Sequence, residues 1–333
     1  MKPYTIFLIS VFFVAGSFLA HSLTIKLGSI APANSPWDNV LRGLSADWER
    51  ITEGNVKLRV FSGGIVGDDE SMIRKMRIGQ LDAAAMPGGG IARIYSGIMA
   101  LSSPMLFRNN NEFRFVLNEM IPHLEAELEN KGFIGLSWSP IGWAHFFSRE
   151  PFITNSDLQK QKLWIFDAEP IEVRAWLSAG FDVVPLPTTE VMTALQSGMI
   201  DAYVTSPMSA ASFQWFGITP HMNDMLFAPI IGGIVITKRT WNRIPARYRK
   251  ELKETARKAS QQLSEQSQKA DQQAIDAMSL YGLKVHSATV ELEQEWNTLV
   301  EERFSELIGT IIDQKAYDLV IAKIAEYRTT NND

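Results

Sequence analysis

From Leu158 to Met208, three short apolar runs alternate with two amphipathic stretches. That alternation limits the fold more than any other feature of the chain. Lys162–Phe166 (KLWIF) is predicted as a strand. Ile171, Ala175, Trp176 and Leu177, spaced among charges, predict a helix over Glu169–Ala179 that Gly180 stops. Phe181–Pro185 reads as a second strand. A helix with a capped start at Thr188-Thr189-Glu190 runs through Gln196 to Gly198, and Ile200–Thr205 is a third strand. Strands alternating with short helices mean an α/β lobe with a largely parallel sheet.

The pattern occurs twice. Arg77-Ile78-Gly79-Gln80-Leu81-Asp82-Ala83 resembles Gln196-Ser197-Gly198-Met199-Ile200-Asp201-Ala202. Each reads as a helix end, a glycine, two residues, Asp-Ala and then an apolar strand. Glycine takes the left-handed conformation at little cost, and the aspartate can bond nearby amides. Two copies about 120 residues apart predict two similarly built lobes. Ligands of α/β lobes bind at the carboxyl ends of strands, so the cleft between the lobes is the expected site.

With 333 residues, 46% of them hydrophobic, the chain can bury the cores of two domains. A net charge of −5 gives no electrostatic footprint for nucleic acid. Residues 1–22 read as a secretory signal: Lys2, the apolar run Ile6–Leu19, and Ala20-His21-Ser22 as a small-x-small cleavage site. The apolar run is short for a membrane span, and no later stretch looks transmembrane. There is no cysteine, which excludes disulfides, thiol catalysis, thiolate metal sites and a cysteine-linked lipid. An exported chain held by its core alone suits a bacterial periplasm.

Elsewhere, Leu23–Ser29 and Asn55–Phe61 alternate as strands, and Leu81–Met86 reads as a third. Trp37, Val40, Leu41, Leu44 and Trp48 form a helical stripe behind Ser35-Pro36. Gly63–Gly67 lacks P-loop spacing and its lysine, so it reads as a turn into a helix over Asp69–Ile78. Gly88-Gly89-Gly90 reads as a flexible bend. A helix over Asn111–Lys131 contains Pro122, a possible kink. Phe133–Trp138 and Ala144–Ser148 read as two separate strands. Phe227–Thr237 is predicted as a buried strand crossing back to the first lobe. A long polar helix from about Pro245 to Leu280, a short strand Leu283–His286 and helices over Thr289–Ile312 and Lys315–Tyr327 complete the chain.

These segments resemble the substrate-binding proteins of TRAP transporters, the DctP-like group. The resemblance is carried by Gly63-Gly64-x-x-Gly67, Ile78-Gly79-Gln80-Leu81-Asp82, Leu101–Phe107, Asp157-Leu158 ahead of Lys162–Ile165, and above all Glu190-Val191-x-x-Ala194-Leu195-Gln196-x-Gly198-x-x-Asp201. It covers nearly all of the mature chain. It implies a two-lobed periplasmic-binding-protein fold, with a long helix spanning both lobes and closure around a small ligand. The expected division is residues 23–141 plus about 228–265 for lobe I and 142–227 for lobe II. The end of the long helix and the C-terminal helices, about 266–333, are expected to pack on lobe II. The ligand would pass to TRAP membrane permease subunits.

The chain departs from the family at the ligand. Where members typically carry a carboxylate-clamping arginine in a Lys-x-Arg strand, this chain has Trp164. A second frequent arginine falls near Ala144. A bidentate guanidinium contributes roughly 1.5–3 kcal/mol per charged hydrogen bond. An indole offers one N–H and a face whose burial contributes at most ~4–6 kcal/mol. The exchange predicts a pocket for an apolar or aromatic ligand, such as an organic acid or lipid-like molecule. Trp37, Met86, Trp143, His145, Arg149, Trp164, Phe166, Tyr203, Ser206 and Trp215 are the candidate lining residues, with Arg149 or Arg174 as substitutes for the missing clamp.

Nothing suggests catalysis, a cofactor or a metal. The histidines have no HExxH or paired spacing, no GxSxG or GxGxxG motif is present, and Asp68-Asp69 sits in a turn. A second expectation, from a different class, is a protein-interaction component with a helical-repeat partner and little solute binding.

Overall fold

The computed structural model describes residues 22–166 and 170–331. The expected signal segment, residues 1–22, lies outside this range except for Ser22. Ten strands form along the chain: β1 (Leu23–Ser29), β2 (Val56–Phe61), β3 (Ala83–Pro87), β4 (Phe133–Ser148), β5 (Lys162–Phe166), β6 (Asp182–Leu186), β7 (Ala202–Thr205), β8 (His221–Asn223), β9 (Ala228–Thr237) and β10 (Lys284–His286). Their order is β2-β1-β3-β9-β4 in one half and β4-β7-β5-β6 in the other, with β8 on β4 and β10 on β8. In each half an antiparallel strand adjoins a parallel set: β1 pairs parallel with β2 and β3, and β5 pairs parallel with β6 and β7.

The repeated motif does the same mechanical job in both lobes. Gly79 and Gly198 have φ of 79° and 72°, the left-handed turn that ends each helix. Asp82 then accepts from the Lys26 amide of β1 at 2.9 Å, and Asp201 accepts from the Lys162 amide of β5 at 3.5 Å. Each aspartate pins its helix-to-strand turn onto the neighbouring parallel strand.

Phe133–Ser148 is one strand, where two were expected. It pairs with β9 through Ala144 and with β7 from His145 onward. Pro140 interrupts the alternation and hides the continuity from the sequence. The ladder survives it through a register shift between Pro140 and Gly142. Gly142 has a φ of 146°, and a Cβ there would collide with the Asp271 carboxylate and sit 3.0 Å from Ser206 Cβ. Strands β4 and β9 therefore carry the chain between lobes, and glycine is required where β4 bends.

The helix Ala246–Leu280 ties the lobes together. The Trp48 indole donates to Leu252 O at 3.2 Å in lobe I. Ser260 Oγ donates to Ser137 Oγ at 2.7 Å beside the crossing strand. Asp271 Oδ1 accepts from the Met208 amide at 3.0 Å in lobe II.

The C-terminal region differs from expectation in two ways. The helix over Val290–Leu299 gives way to a wider turn at Val300–Phe304 and a 3-10 turn at Ser305–Leu307. The last helix, Gln314–Asn331, was expected against lobe II. It lies instead against Asn110–Asn130 of lobe I, where Arg328 Nε meets the buried Glu112 at 2.6 Å and Lys323 meets Glu119 at 2.9 Å. Trp296, fully buried, stacks on Phe181 at 5.2 Å and on Phe146 at 5.0 Å. Burying that indole contributes at most ~5 kcal/mol toward holding Val290–Leu299 in place.

Two smaller expectations also shift. Gly88–Ala92 is a short helix rather than a flexible bend. A Cβ on Gly88 would approach Ile231 to 2.8 Å and one on Gly90 would approach Asp69 to 2.8 Å, so close packing explains these glycines. Thr188–Glu190 forms a 3-10 turn without a side-chain cap, and the helix begins at Val191.

Candidate functional site

A cavity of about 880 Å³ lies where the lobes meet, near the top of the ~300–1,000 Å³ range of small-molecule sites. Lobe I supplies Trp37 from the start of its first helix, Met86 from the end of β3, and Gly88, Gly89, Ala92 and Arg93 from the short helix and its cap. The crossing strands supply the floor, with Ser139, Ile141 and Ala144 from β4 and Ala228–Ile234 from β9. Ser260 and Leu263 of the long helix face it. Lobe II supplies Trp164, Ile165 and Phe166 of β5, Val204 and Thr205 of β7, and Ser209, Phe213 and Trp215 beyond. The sites come together here because β3 and β5 both end at the interlobe boundary.

The lobes touch across it. A Cβ on Gly89 would lie 2.9 Å from the Phe166 ring, and one on Gly64 would lie 2.9 Å from the Thr189 methyl. This is a closed arrangement.

Five of the ten candidate residues line the cavity: Trp37, Met86, Trp164, Phe166 and Trp215. Trp164 presents an apolar surface only. Its indole N–H is already donated to Leu186 O at 2.9 Å, and its ring meets Trp215 edge-on at 5.6 Å. The other five are engaged elsewhere. Trp143 Nε1 donates to Asn110 Oδ1 at 2.7 Å, tying β4 to the helix Asn110–Asn130. Arg149 reaches Asp201 Oδ1 at 3.3 Å and Leu195 O at 2.8 Å, so its fork is held inside lobe II. Tyr203 is fully buried, stacked on Phe147 at 5.1 Å, with its hydroxyl accepting from Thr219 at 3.0 Å; burial raises its pKa. Ser206 caps the helix Pro207–Ser212 by accepting from the Ser209 amide at 3.2 Å. His145 is buried away from the cavity wall, and desolvation pushes its pKa down to about 4, so it is neutral at pH 7.

The charged residues on the wall are Arg93, Arg174 and Glu172. Arg93 also lies 3.8 Å from Glu70. Arg174 is exposed on the helix Pro170–Ser178. Arg174, unlike Arg149, is on the cavity wall. Two further polar atoms belong to wall residues. Trp37 Nε1 and Ser103 Oγ are buried with no hydrogen-bond partner among the described residues. Such groups are costly to leave unpaired, roughly 1–3 kcal/mol each, and a ligand acceptor would relieve that cost. Among the described residues, no group of three or more His, Asp and Glu could hold a metal ion.

Arg93, Phe213 and the C-terminal contributors Phe304 and Ile311 escaped the sequence reading. Phe213 sits two residues before Trp215 and was within reach of the same reasoning. The C-terminal residues arrive only through tertiary packing.

The fold and the cleft define a two-lobed solute-binding protein. The chain belongs to the bacterial extracellular solute-binding protein family 7 (DctP), whose model matches residues 27–309. A 2,3-diketo-L-gulonate-binding periplasmic protein of Escherichia coli is 26% identical over 242 residues, covering 70% of this chain and 72% of that protein. The sugar acid binding protein DctPAm of Advenella mimigardefordensis, solved with galactonate, superposes with a TM-score of 0.85 at 18% identity over 92% of this chain and 98% of that one. A TRAP periplasmic solute-binding protein of Desulfovibrio salexigens, solved with orotic acid, does so with a TM-score of 0.85 at 15% identity over 92% and 99%. Proteins of this kind capture small molecules and work with membrane permease subunits; they are not enzymes. The ligands named for these relatives are acids. The expectation of an apolar or aromatic ligand, drawn from Trp164, is corrected accordingly.

Proposed function

We propose that this protein captures a small organic acid in the interlobe cleft, in the periplasm, and delivers it to a TRAP-type permease. The observation that carries the reading is the interlobe cavity, walled by both lobes, whose charged residues Arg93, Arg174 and Glu172 leave a net positive charge on an otherwise largely apolar surface. A ligand touching both walls stabilises the closed state in proportion to the contacts it makes only there. The guanidinium groups supply the carboxylate's counter-charge from outside β5, in place of the arginine that Trp164 displaces. The acids named for the relatives favour this over a neutral ligand, and their solute-binding roles favour it over an interaction component with a helical-repeat partner.

The test is mass spectrometry of small molecules released by denaturing protein purified from its native host, paired with calorimetric titration of the emptied protein. A carboxylic acid that is released and rebinds supports the reading. A neutral compound, or no binding by any member of a broad acid panel, overturns it.

A further inference from the structure

Basic residues of lobe I gather at the pole opposite the cleft. β1, β3 and β4 start there, at Leu23, Ala83 and Phe133, and β9 ends there at Thr237, with Ala83 opposite Ile236 and Phe133 opposite Thr237. The cleft lies at the other end, where β3 reaches Pro87. Lys26 comes from β1, Arg77 from the end of the helix Asp69–Arg77, and Lys131 from the turn into β4. Arg239 and Arg243 come from the helix Lys238–Arg243, and Arg247 from the first turn of the long helix. Contacts join these elements into one face. The Lys238 amide donates to Gly132 O at 2.9 Å, and the Thr237 amide to Asp82 O at 3.0 Å. A Cβ on Gly79 would collide with the Arg239 guanidinium. Arg247 lies over the ring of Tyr248, whose hydroxyl accepts from Asn55 Nδ2 at 3.4 Å; the Leu23 amide donates to Asn55 O at 2.8 Å.

All six cations are exposed, and none forms an ion pair among the described residues. Two carboxylates close by are already engaged. Asp82 accepts from the Lys26 amide at 2.9 Å and from the Thr240 hydroxyl at 2.8 Å, and Glu129 is paired with Lys238 at 2.9 Å. Glu53, exposed on the turn before β2, offsets one of the cations. A chain whose net charge is −5 therefore concentrates positive charge on one face. Ile78, 63% exposed, stands among these cations between Arg77 and the left-handed Gly79. Only Ala20–Ser22 separate the apolar run Ile6–Leu19 from the start of β1, so that run leads into the fold at this pole.

We propose that this pole docks on an anionic phospholipid surface, with its cations over the headgroups and Ile78 at the interface. Docked this way, the protein stays on the membrane that holds its permease while the cleft faces solution. Neither Arg93 nor Arg174 belongs to the face, so the docking stands or falls apart from the ligand.

The experiment is co-sedimentation of the mature protein with vesicles of phosphatidylglycerol and phosphatidylethanolamine, and with vesicles of phosphatidylcholine, at about 0.1 M and about 1 M salt, where the Debye length is about 10 and 3 Å. The protein should sediment with the anionic vesicles at the lower salt, leave them at the higher, and ignore phosphatidylcholine. Arg243→Gln with Arg247→Gln should weaken binding about 25-fold, about 5-fold per arginine, the equivalent of ~1 kcal/mol for each cation near an anionic surface. Arg77→Gln with Lys131→Gln serves the same purpose if the first pair disturbs the start of the long helix. Lys162→Gln with Lys284→Gln removes the same charge from exposed positions in lobe II and should leave vesicle binding unchanged. Circular dichroism checks that each variant is folded. No sedimentation with anionic vesicles at the lower salt overturns the proposal, as does equal sedimentation with phosphatidylcholine. Equal losses in the lobe I and lobe II variants overturn it too, because net charge rather than the pole would then be responsible. Binding to membranes that contain the permease, without binding to protein-free anionic vesicles, overturns the lipid assignment and gives the face to a protein.

Discussion

Asp271 offers the sharpest test of the interlobe architecture. Its carboxylate sits on the long helix, accepts from the Met208 amide at 3.0 Å, and packs over Gly142 where β4 bends between lobes. Desolvation raises its pKa from 3.8 to about 7, with the Met208 hydrogen bond opposing the shift only in part. In the unfolded chain the group ionises near 3.8. Below that pH both states are protonated and the site has no effect. Between about 4 and 7 the unfolded chain gives up its proton and the folded protein keeps it, so stability falls as pH rises; above about 7 the loss is complete. At 1.36 kcal/mol per pK unit, the full penalty is at most about 4 kcal/mol. Most of it, about 2–3 kcal/mol, develops between pH 5 and pH 8.

Asp271→Asn keeps the acceptor for Met208 and removes the ionisation. The variant should therefore gain stability over the wild type as pH rises, with a difference about 2–3 kcal/mol larger at pH 8 than at pH 5. Urea unfolding at both pH values measures it, and the comparison between proteins cancels every other titrating group. An equal wild-type-to-variant difference at the two pH values would refute the reasoning, because the carboxylate would then be solvated in the folded protein.

Three further outcomes are expected. His145, with a pKa pushed down to about 4 from 6.5, opposes Asp271: its contribution is lost as pH falls from 6.5 toward 4, by at most about 3 kcal/mol. Its imidazole proton resonances should stay flat above pH 5, and movement near 6.5 would show that it is hydrated. Glu112→Ala removes the acceptor for Arg328 Nε and the Arg108 amide, at 2.6 and 2.7 Å, and should cost about 3–5 kcal/mol, with faster hydrogen exchange confined largely to residues 314–331. Gly142→Ala forces an L side chain into a positive-φ bend and against the Asp271 carboxylate. It should cost about 2 kcal/mol or more in urea unfolding and should weaken ligand binding, since it strains the bend where β4 passes between the lobes.

Much of the architecture was legible before any coordinates. The repeated Gly-x-x-Asp-Ala segments announced two lobes because a left-handed turn and an amide-binding carboxylate are local requirements, met by local residues. The return of Phe227–Thr237 to lobe I was legible because a run of that polarity must be buried on both faces. The unity of β4 was not, since proline and glycine at 140–142 look like a break unless the partner strand is known. The site was half legible. Trp37, Met86, Phe166 and Trp215 lie at strand ends or helix starts, where position in the motif fixes direction, and Trp164 shares its face of β5 with Phe166. Trp143, His145, Tyr203 and Ser206 lie next to cleft positions, and in a strand one residue of offset turns a side chain to the opposite face. The sequence favoured Arg149 over Arg174 as the cleft cation, because only tertiary structure shows that Asp201 and Leu195 O already occupy the first.

The two crossing strands also dictate the order in which the molecule can be made. β3 ends at Pro87, yet its antiparallel partner β9 begins at Ala228, and β4 sits on the far side of β9. The first-synthesised lobe therefore holds an unfinished sheet, with an open edge, until the chain has been extruded to about Thr237, by which point strands β5 to β8 of lobe II have been delivered. Closing a loop of that length before the contacts that reward it form is slow. The chain thus commits to its native state only once the second crossing strand has arrived.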